Sequence, residues 1–160
     1  ANLMLANALT HELEKAGAEV VATRTSDVTY GLYNRVEYAA AQQPDLIVSL
    51  HHNALAQGIN PHGHHGASVH YYHRHAHSLA EDVYGAILTG GWPGHGLRYQ
   101  DLAMARPTQC PSILVEAGFM MQPDEEALFR TNEYHRDMAR WVRLGLESYL
   151  REVRNAQRDD

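Results

Sequence analysis

Apolar positions near the start of the chain fall at helical spacing. Leu5, Leu9 and Leu13 recur every four residues with Ala6 and Ala16 beside them, which predicts an amphipathic helix stopped at Gly17. Residues 19–23 read as a short strand whose adjacent apolar side chains predict burial on both faces. Leu32, Val36, Ala39 and Ala40 predict a second helix, ended near Pro44. Residues 45–51 form a strong buried-strand pattern, residues 52–65 are rich in Gly, Asn, Pro and His and read as a loop, and residues 67–72 predict another strand. Ser78 is placed to cap a third helix carrying Leu79, Val83, Ala86 and Ile87 on one side, broken at Gly90 and Gly91. Residues 102–104 predict a short strand, and residues 112–116 a further one entered through Pro111. A short helix follows over 124–129. The last helix runs over 132–153, with Met138, Trp141, Val142, Gly145 and Tyr149 at helical spacing, ahead of a polar tail over 154–160.

Strands alternating with helices predict an α/β layered domain with a twisted, largely parallel sheet flanked by helices. Ligands of such folds bind beyond the carboxyl ends of the strands. Two chemically loaded residues fall at such ends, His51 and Glu116.

Composition narrows the function classes. Apolar residues at 44% and charged residues at 20% of the 160 are those of a globular chain, which excludes a disordered one. No apolar run approaches the roughly 20 residues of a membrane-spanning helix. The net charge of −6, without a Lys/Arg cluster, argues against a nucleic-acid partner. The single cysteine, Cys110, excludes an internal disulfide framework. Of the twelve histidines, nine lie between His51 and His77, and histidine is the commonest zinc ligand, so metal chemistry enters the candidate list.

An apolar strand that delivers His51 to its end can hold a rigid metal ligand; the alternative is a histidine that hydrogen-bonds at the sheet edge. A carboxylate after four strand residues, Glu116, is costly to bury unless it is paired, hydrogen-bonded or near a cation. It suits a general base that takes a proton from an attacking water; the alternatives are capping a neighbouring helix or pairing with an arginine.

Taken together, these segments resemble the zinc-dependent N-acetylmuramoyl-L-alanine amidases, whose catalytic domain cleaves bacterial peptidoglycan. The resemblance runs from Asn2 to about Leu150. It includes Val20-Val21-Ala22-Thr23-Arg24 followed by Asp27, then Leu32 with Arg35 and Ala39, and Ser-Leu-His-x-Asn-Ala from Ser49 to Ala54. Its most specific piece is Pro-Ser-Ile-Leu-Val-Glu-x-Gly-Phe, Pro111 to Phe119. The resemblance implies that His51 is a zinc ligand and Glu116 the catalytic glutamate. It implies hydrolysis of the amide between N-acetylmuramic acid and L-alanine, a muropeptide substrate, Zn2+ as cofactor, and a periplasmic or extracellular location in the bacterial envelope.

The family's other two ligands are a histidine in an Asp-x-Gly-His-Gly-Gly turn after the first strand and a glutamate just before the first helix. Residues 1–160 hold neither. The expectation is therefore a catalytic domain over residues 1–153 without its first strand and first metal-ligand segment, incomplete as an enzyme on its own. Met120-Met121-Gln122 replaces the family's small polar ending after Phe119. A second reading is a non-catalytic peptidoglycan-binding or scaffold domain. A third, a zinc carboxypeptidase of similar architecture, is disfavoured by Glu-x-Gly-Phe.

The remaining residues carry their own expectations. His51 and Glu116 face one cleft, while His52 points to the opposite face. His62, His64, His65, His70, His73, His75 and His77 are mostly solvated, with some at the rim of a groove. Arg24 and Arg35 pair with Asp27 or Glu37, Asn53 forms a turn, and Trp92 and Tyr99 either pack or contact glycan. No inhibitory helix is expected in the connections 54–65 and 73–77.

Overall fold

The computed structural model describes residues 1–159. The helices are α1 (Asn2–Lys15), α2 (Leu32–Ala41), α3 (His77–Thr89), α4 (Pro123–Leu128) and α5 (Asn132–Asp159), and the strands are β1 (Ile47–Asn53), β2 (Ala67–Tyr71), β3 (Gly94–Tyr99) and β4 (Ser112–Phe119). The four strands form one sheet in the order β1-β4-β2-β3. β1 runs parallel to β4 and β2 parallel to β3, while β2 and β4 are antiparallel. The sheet is thus mixed and mostly parallel, an α/β architecture as the alternation of patterns predicts.

Side-chain alternation sorts the sheet into two faces. Ile113, Val115 and Ala117 of β4 and Ala67 and Val69 of β2 belong to the main core, together with Leu5 and Leu9 of α1, Leu79, Val83 and Ile87 of α3, and Met138, Val142 and Leu146 of α5. On the other face Ile47 and Leu114 join Met104 and Cys110 in a smaller cluster, against which Val36 and Ala39 of α2 pack. That second cluster is short. It leaves the strand ends beyond it uncovered by helix, and these ends hold the polar residues discussed below.

Several local expectations are corrected. Residues 19–23 form no strand. β1 ends the sheet, and its free edge at residues 46–50 lines, with residues 18–24, a cavity of about 910 Å³. With no ladder within hydrogen-bonding reach, the β-branched pattern of 19–23 has no partner to convert it into a strand. Ser78 lies inside the first turn of α3, whose N-cap is Ala76 without a side-chain cap. Residues 102–104 are not a strand; a 3-10 turn covers Ala103–Ala105. β3 was absent from the expected elements, because its glycines and lone Leu97 carry little strand signal. α5 continues to Asp159 rather than stopping near Val153, so the polar residues after 153 extend an amphipathic helix already nucleated by packing on α1 and α3. The connection 54–65 holds a 3-10 turn at Pro61–Gly63 and no α-helix, and Arg74–Ala76 is a 3-10 turn leading into α3. No helix among the described residues is long and apolar enough to cross a membrane.

His52 points into the main core, opposite to His51. It hydrogen-bonds through Nδ1 to the Asn2 side-chain amide at 2.6 Å and through Nε2 to the Tyr134 hydroxyl at 3.1 Å. Tyr134 in turn donates to the Ala117 carbonyl at 3.0 Å. Burial pushes the His52 pKa down to about 3. The unfolded chain then binds one more proton than the native one between about pH 6.5 and 3, so stability is complete above that window and falls as the pH drops through it. The limiting slope is about 1.4 kcal/mol per pH unit. Urea titrations from pH 7 to 4 should show His52→Phe, whose ring can stay against Phe129, losing about one proton from that slope. An unchanged slope would place the acid sensitivity elsewhere.

Candidate active site

Residue by residue, the parallel ladder sets His51 of β1 beside Glu116 of β4, and the antiparallel ladder sets Ser68 of β2 beside Glu116 on its other side. Gly96 of β3 pairs with Ser68, completing a row across all strands. Laterally paired residues share a face, and neighbouring strands lie about 4.8 Å apart. His51 and Glu116 therefore meet on one face, as expected, but inside the carboxyl-terminal halves of two parallel strands that run on to Asn53 and Phe119 rather than at their last residues.

Glu116 is the single position of β4 that is not fully buried. Burial pushes its pKa up to about 7, and its Oε2 is buried without a hydrogen-bond partner. Neither alternative for this residue holds among the described residues, for it makes no salt bridge and accepts no capping bond. Burial, then the guanidinium groups of Arg35 and Arg24, hold the His51 pKa below the usual histidine value. His51 is thus a neutral imidazole at pH 7, the form that binds a metal. Arg24 pairs with Asp27 at 3.1 Å as expected, but Arg35 donates to the Tyr30 carbonyl at 3.3 Å rather than to Glu37.

The strand ends are tied together by a residue the sequence reading passed over. The buried Glu125 carboxylate accepts from the Phe119 amide and from the Gly66 amide, both at 2.6 Å. It thereby joins the end of β4 to the start of β2. Gly118 makes room for this: its φ is +150°, and a Cβ there would lie 2.8 Å from Glu125 Oε2. The available signal was Gln122 three residues before Glu125, where the glutamine side chain accepts from the Glu125 amide at 2.7 Å as an N-cap.

Other expectations divide. His70 is a correction: it is 5% exposed, not solvated, and its Nε2 lies 2.9 Å from Ser68 Oγ. It is the fourth residue of a strand whose preceding three are also buried. Trp92 is structural, donating to the Ala117 carbonyl at 3.0 Å. Tyr99 is exposed and stacks on Tyr72. Asn53 ends β1 rather than forming a turn, and its carbonyl accepts from Met120 at 2.9 Å.

Among the described residues no group of three His, Cys, Asp or Glu side chains is arranged to hold a metal ion. A zinc site needs at least three protein ligands, so the donors present do not fit a complete site, although His51 fits one ligand of it.

The profile of the N-acetylmuramoyl-L-alanine amidase family matches residues 1–148. The chain belongs to this family. Among sequence relatives of the amidase chain is the probable cell wall amidase LytH of Staphylococcus aureus, 29% identical over 149 residues, which are 92% of this chain and 48% of LytH. The chain thus spans about half the length of that relative. Among solved structures, the N-acetylmuramoyl-L-alanine amidase AmiC2 of Nostoc punctiforme is 30% identical with a TM-score of 0.85, covering 93% of this chain and 82% of that one. The N-acetylmuramoyl-L-alanine amidase of Clostridium difficile 630 is 28% identical with a TM-score of 0.85, covering 92% and 81%. The match over residues 1–148 supports the resemblance expected from Asn2 to about Leu150.

Proposed function

We propose that this chain carries the catalytic glutamate and one metal ligand of an amidase that hydrolyses the bond between N-acetylmuramic acid and L-alanine in peptidoglycan, acting in the bacterial cell envelope. The observation that carries the reading is the lateral pairing of His51 with Glu116, whose Oε2 is buried without a hydrogen-bond partner and whose pKa is pushed up to about 7. A group with a pKa near the working pH can both take and give a proton. Glu116 accepts a proton from the attacking water as its oxygen adds to the lactyl carbonyl carbon. It then delivers that proton to the nitrogen as the carbon–nitrogen bond breaks, leaving a carboxylic acid and the amino terminus of L-alanine. Zinc belongs to the proposal through His51 alone, with further donors needed to complete its coordination. Nothing in this scheme uses a covalent nucleophile, so buried Cys110 is a core residue.

The test is product analysis. Sacculi are digested with this chain joined, ahead of Ala1, to the first strand and ligand-bearing turn of a family member, with zinc present. Peptides with a free L-alanine amino terminus and intact glycan strands are expected. Glu116→Ala should lower their release by about 10²–10⁴-fold. Cleavage inside the stem peptide instead would select the carboxypeptidase reading, and binding without cleavage the scaffold reading.

A further inference from the structure

Hydrogen bonding sorts the histidines into two groups. His73 and His75 hydrogen-bond to the carbonyls of Arg106 and Cys110, His135 to that of Phe129, and His77 pairs with Glu81. His52 and His70 are engaged as described. The rings of His11, His51, His62, His64, His65 and His95 enter none of the hydrogen bonds among the described residues; of these His51, His64 and His95 are half-buried, and His64 and His95 both stand on one phenyl group. His95 lies 4.7 Å from the Phe119 ring centroid, His64 lies 5.8 Å from it, and the two imidazoles are 6.1 Å apart. Phe119 itself is 2% exposed, a floor beneath them.

Backbone irregularity accounts for this placement. Ala67 pairs with Gly94 and Ser68 with Gly96, which leaves His95 as the extra residue of a bulge. Bulges beside active sites re-aim a side chain, here towards the end of β4 three residues after Glu116. The permanent charge of Arg98 lies against His95, to whose carbonyl it donates at 2.7 Å. The cluster is not a metal site, since no three donors among the described residues are arranged for one.

We propose that His64 and His95, with the Arg98 charge behind them, form a subsite for a carboxylate of the peptide that extends from L-alanine in the substrate. The proposal rests on the amidase reading and adds to it a specificity determinant. Two imidazoles over an apolar floor each offer a ring N–H donor without a competing internal partner, and the adjacent guanidinium supplies the positive potential. Partial burial, then the neighbouring Arg98, hold the His95 pKa below its usual value, so the fixed positive charge of this corner is the Arg98 guanidinium. Spacing fits as well. His64 and His95 stand on Phe119, three residues beyond Glu116 along β4, about 10 Å of strand, a distance about three extended residues span.

The experiment uses the chain itself and needs no turnover. N-acetylmuramoyl-L-alanyl tripeptide with a free terminal carboxylate, and the same compound as its carboxamide, are titrated while histidine ring signals are followed by NMR. The His64 and His95 rings should shift, the acid should bind about tenfold more tightly than the amide, and His64→Ala with His95→Ala should erase that preference. A ligand that perturbs His51 and Glu116 but neither of these rings, or equal binding of acid and amide, overturns the subsite and leaves the amidase reading standing. No binding of either compound also overturns the subsite, while the amidase reading is decided by the product analysis above.

Discussion

Zinc mixed one-to-one with residues 1–160 and passed through a desalting step is expected to be lost, and the chain alone is expected to release little or no stem peptide from sacculi. A catalytic zinc takes three protein ligands and keeps a fourth position open. The ladder supplies His51 near one strand end, and the structure shows why its neighbours do not complete the set. His52 faces the main core with both ring nitrogens engaged. His70 is buried against Ser68. His64 stands over Phe119, and recruiting it or His65 would require the loop to be reordered, at an entropic cost of about 1–2 kcal/mol per fixed residue. Joining the family's first strand and its histidine-bearing turn ahead of Ala1 should restore tight zinc binding and, with it, cleavage that depends on Glu116. Metal content by elemental analysis reads the first half of this expectation and peptide release the second. One equivalent of zinc retained by the short chain together with robust release would mean that the histidine-rich segment builds a site of its own.

Much of the candidate site is legible because its two residues close the strongest apolar runs in the sequence. A run such as Ser-Ile-Leu-Val followed by a carboxylate states both where a strand lies and which part of it carries the candidate group. What escaped were features set by pairing rather than by pattern. Four of the six residues of β3 are glycine or exposed, and only its ladder with β2 makes it a strand. Residues 19–23 show the converse, a good strand pattern without a neighbour to pair with. A histidine-rich stretch suggests a solvated His70, yet strand alternation places it beneath Ser68. Glu125 was invisible as a clamp because a surface-like Asp-Glu-Glu run does not reveal that one of its carboxylates turns inward to two amides.

Gly145→Val is expected to cost about 3 kcal/mol or more in unfolding free energy, enough to leave a marginal domain partly unfolded. The sequence shows Gly145 only as one more position on the apolar face of the last helix. In the structure α5 passes so close to α3 there that a Cβ would meet Val83 Cα at 2.4 Å and the Asp82 carbonyl oxygen at 2.8 Å. Both obstacles are backbone atoms, so no rotamer change relieves the clash; the helices must move apart by about 1 Å or more to reach ordinary contact distance. That separation would loosen Leu79, Val83 and Ile87 from Met138, Val142 and Leu146, the contacts that hold the two helices on the sheet. Even Gly145→Ala, which gains about 1 kcal/mol of helix propensity, should be net destabilising. Gly85 is the internal control: it lies within α3 with nothing within 4 Å of an added Cβ, so Gly85→Ala should raise stability by about 0.5–1 kcal/mol. Urea midpoints of the three variants beside the parent chain decide the matter. If Gly145→Ala stabilised as much as Gly85→Ala, the close approach of α3 and α5 would not be a feature of the folded protein.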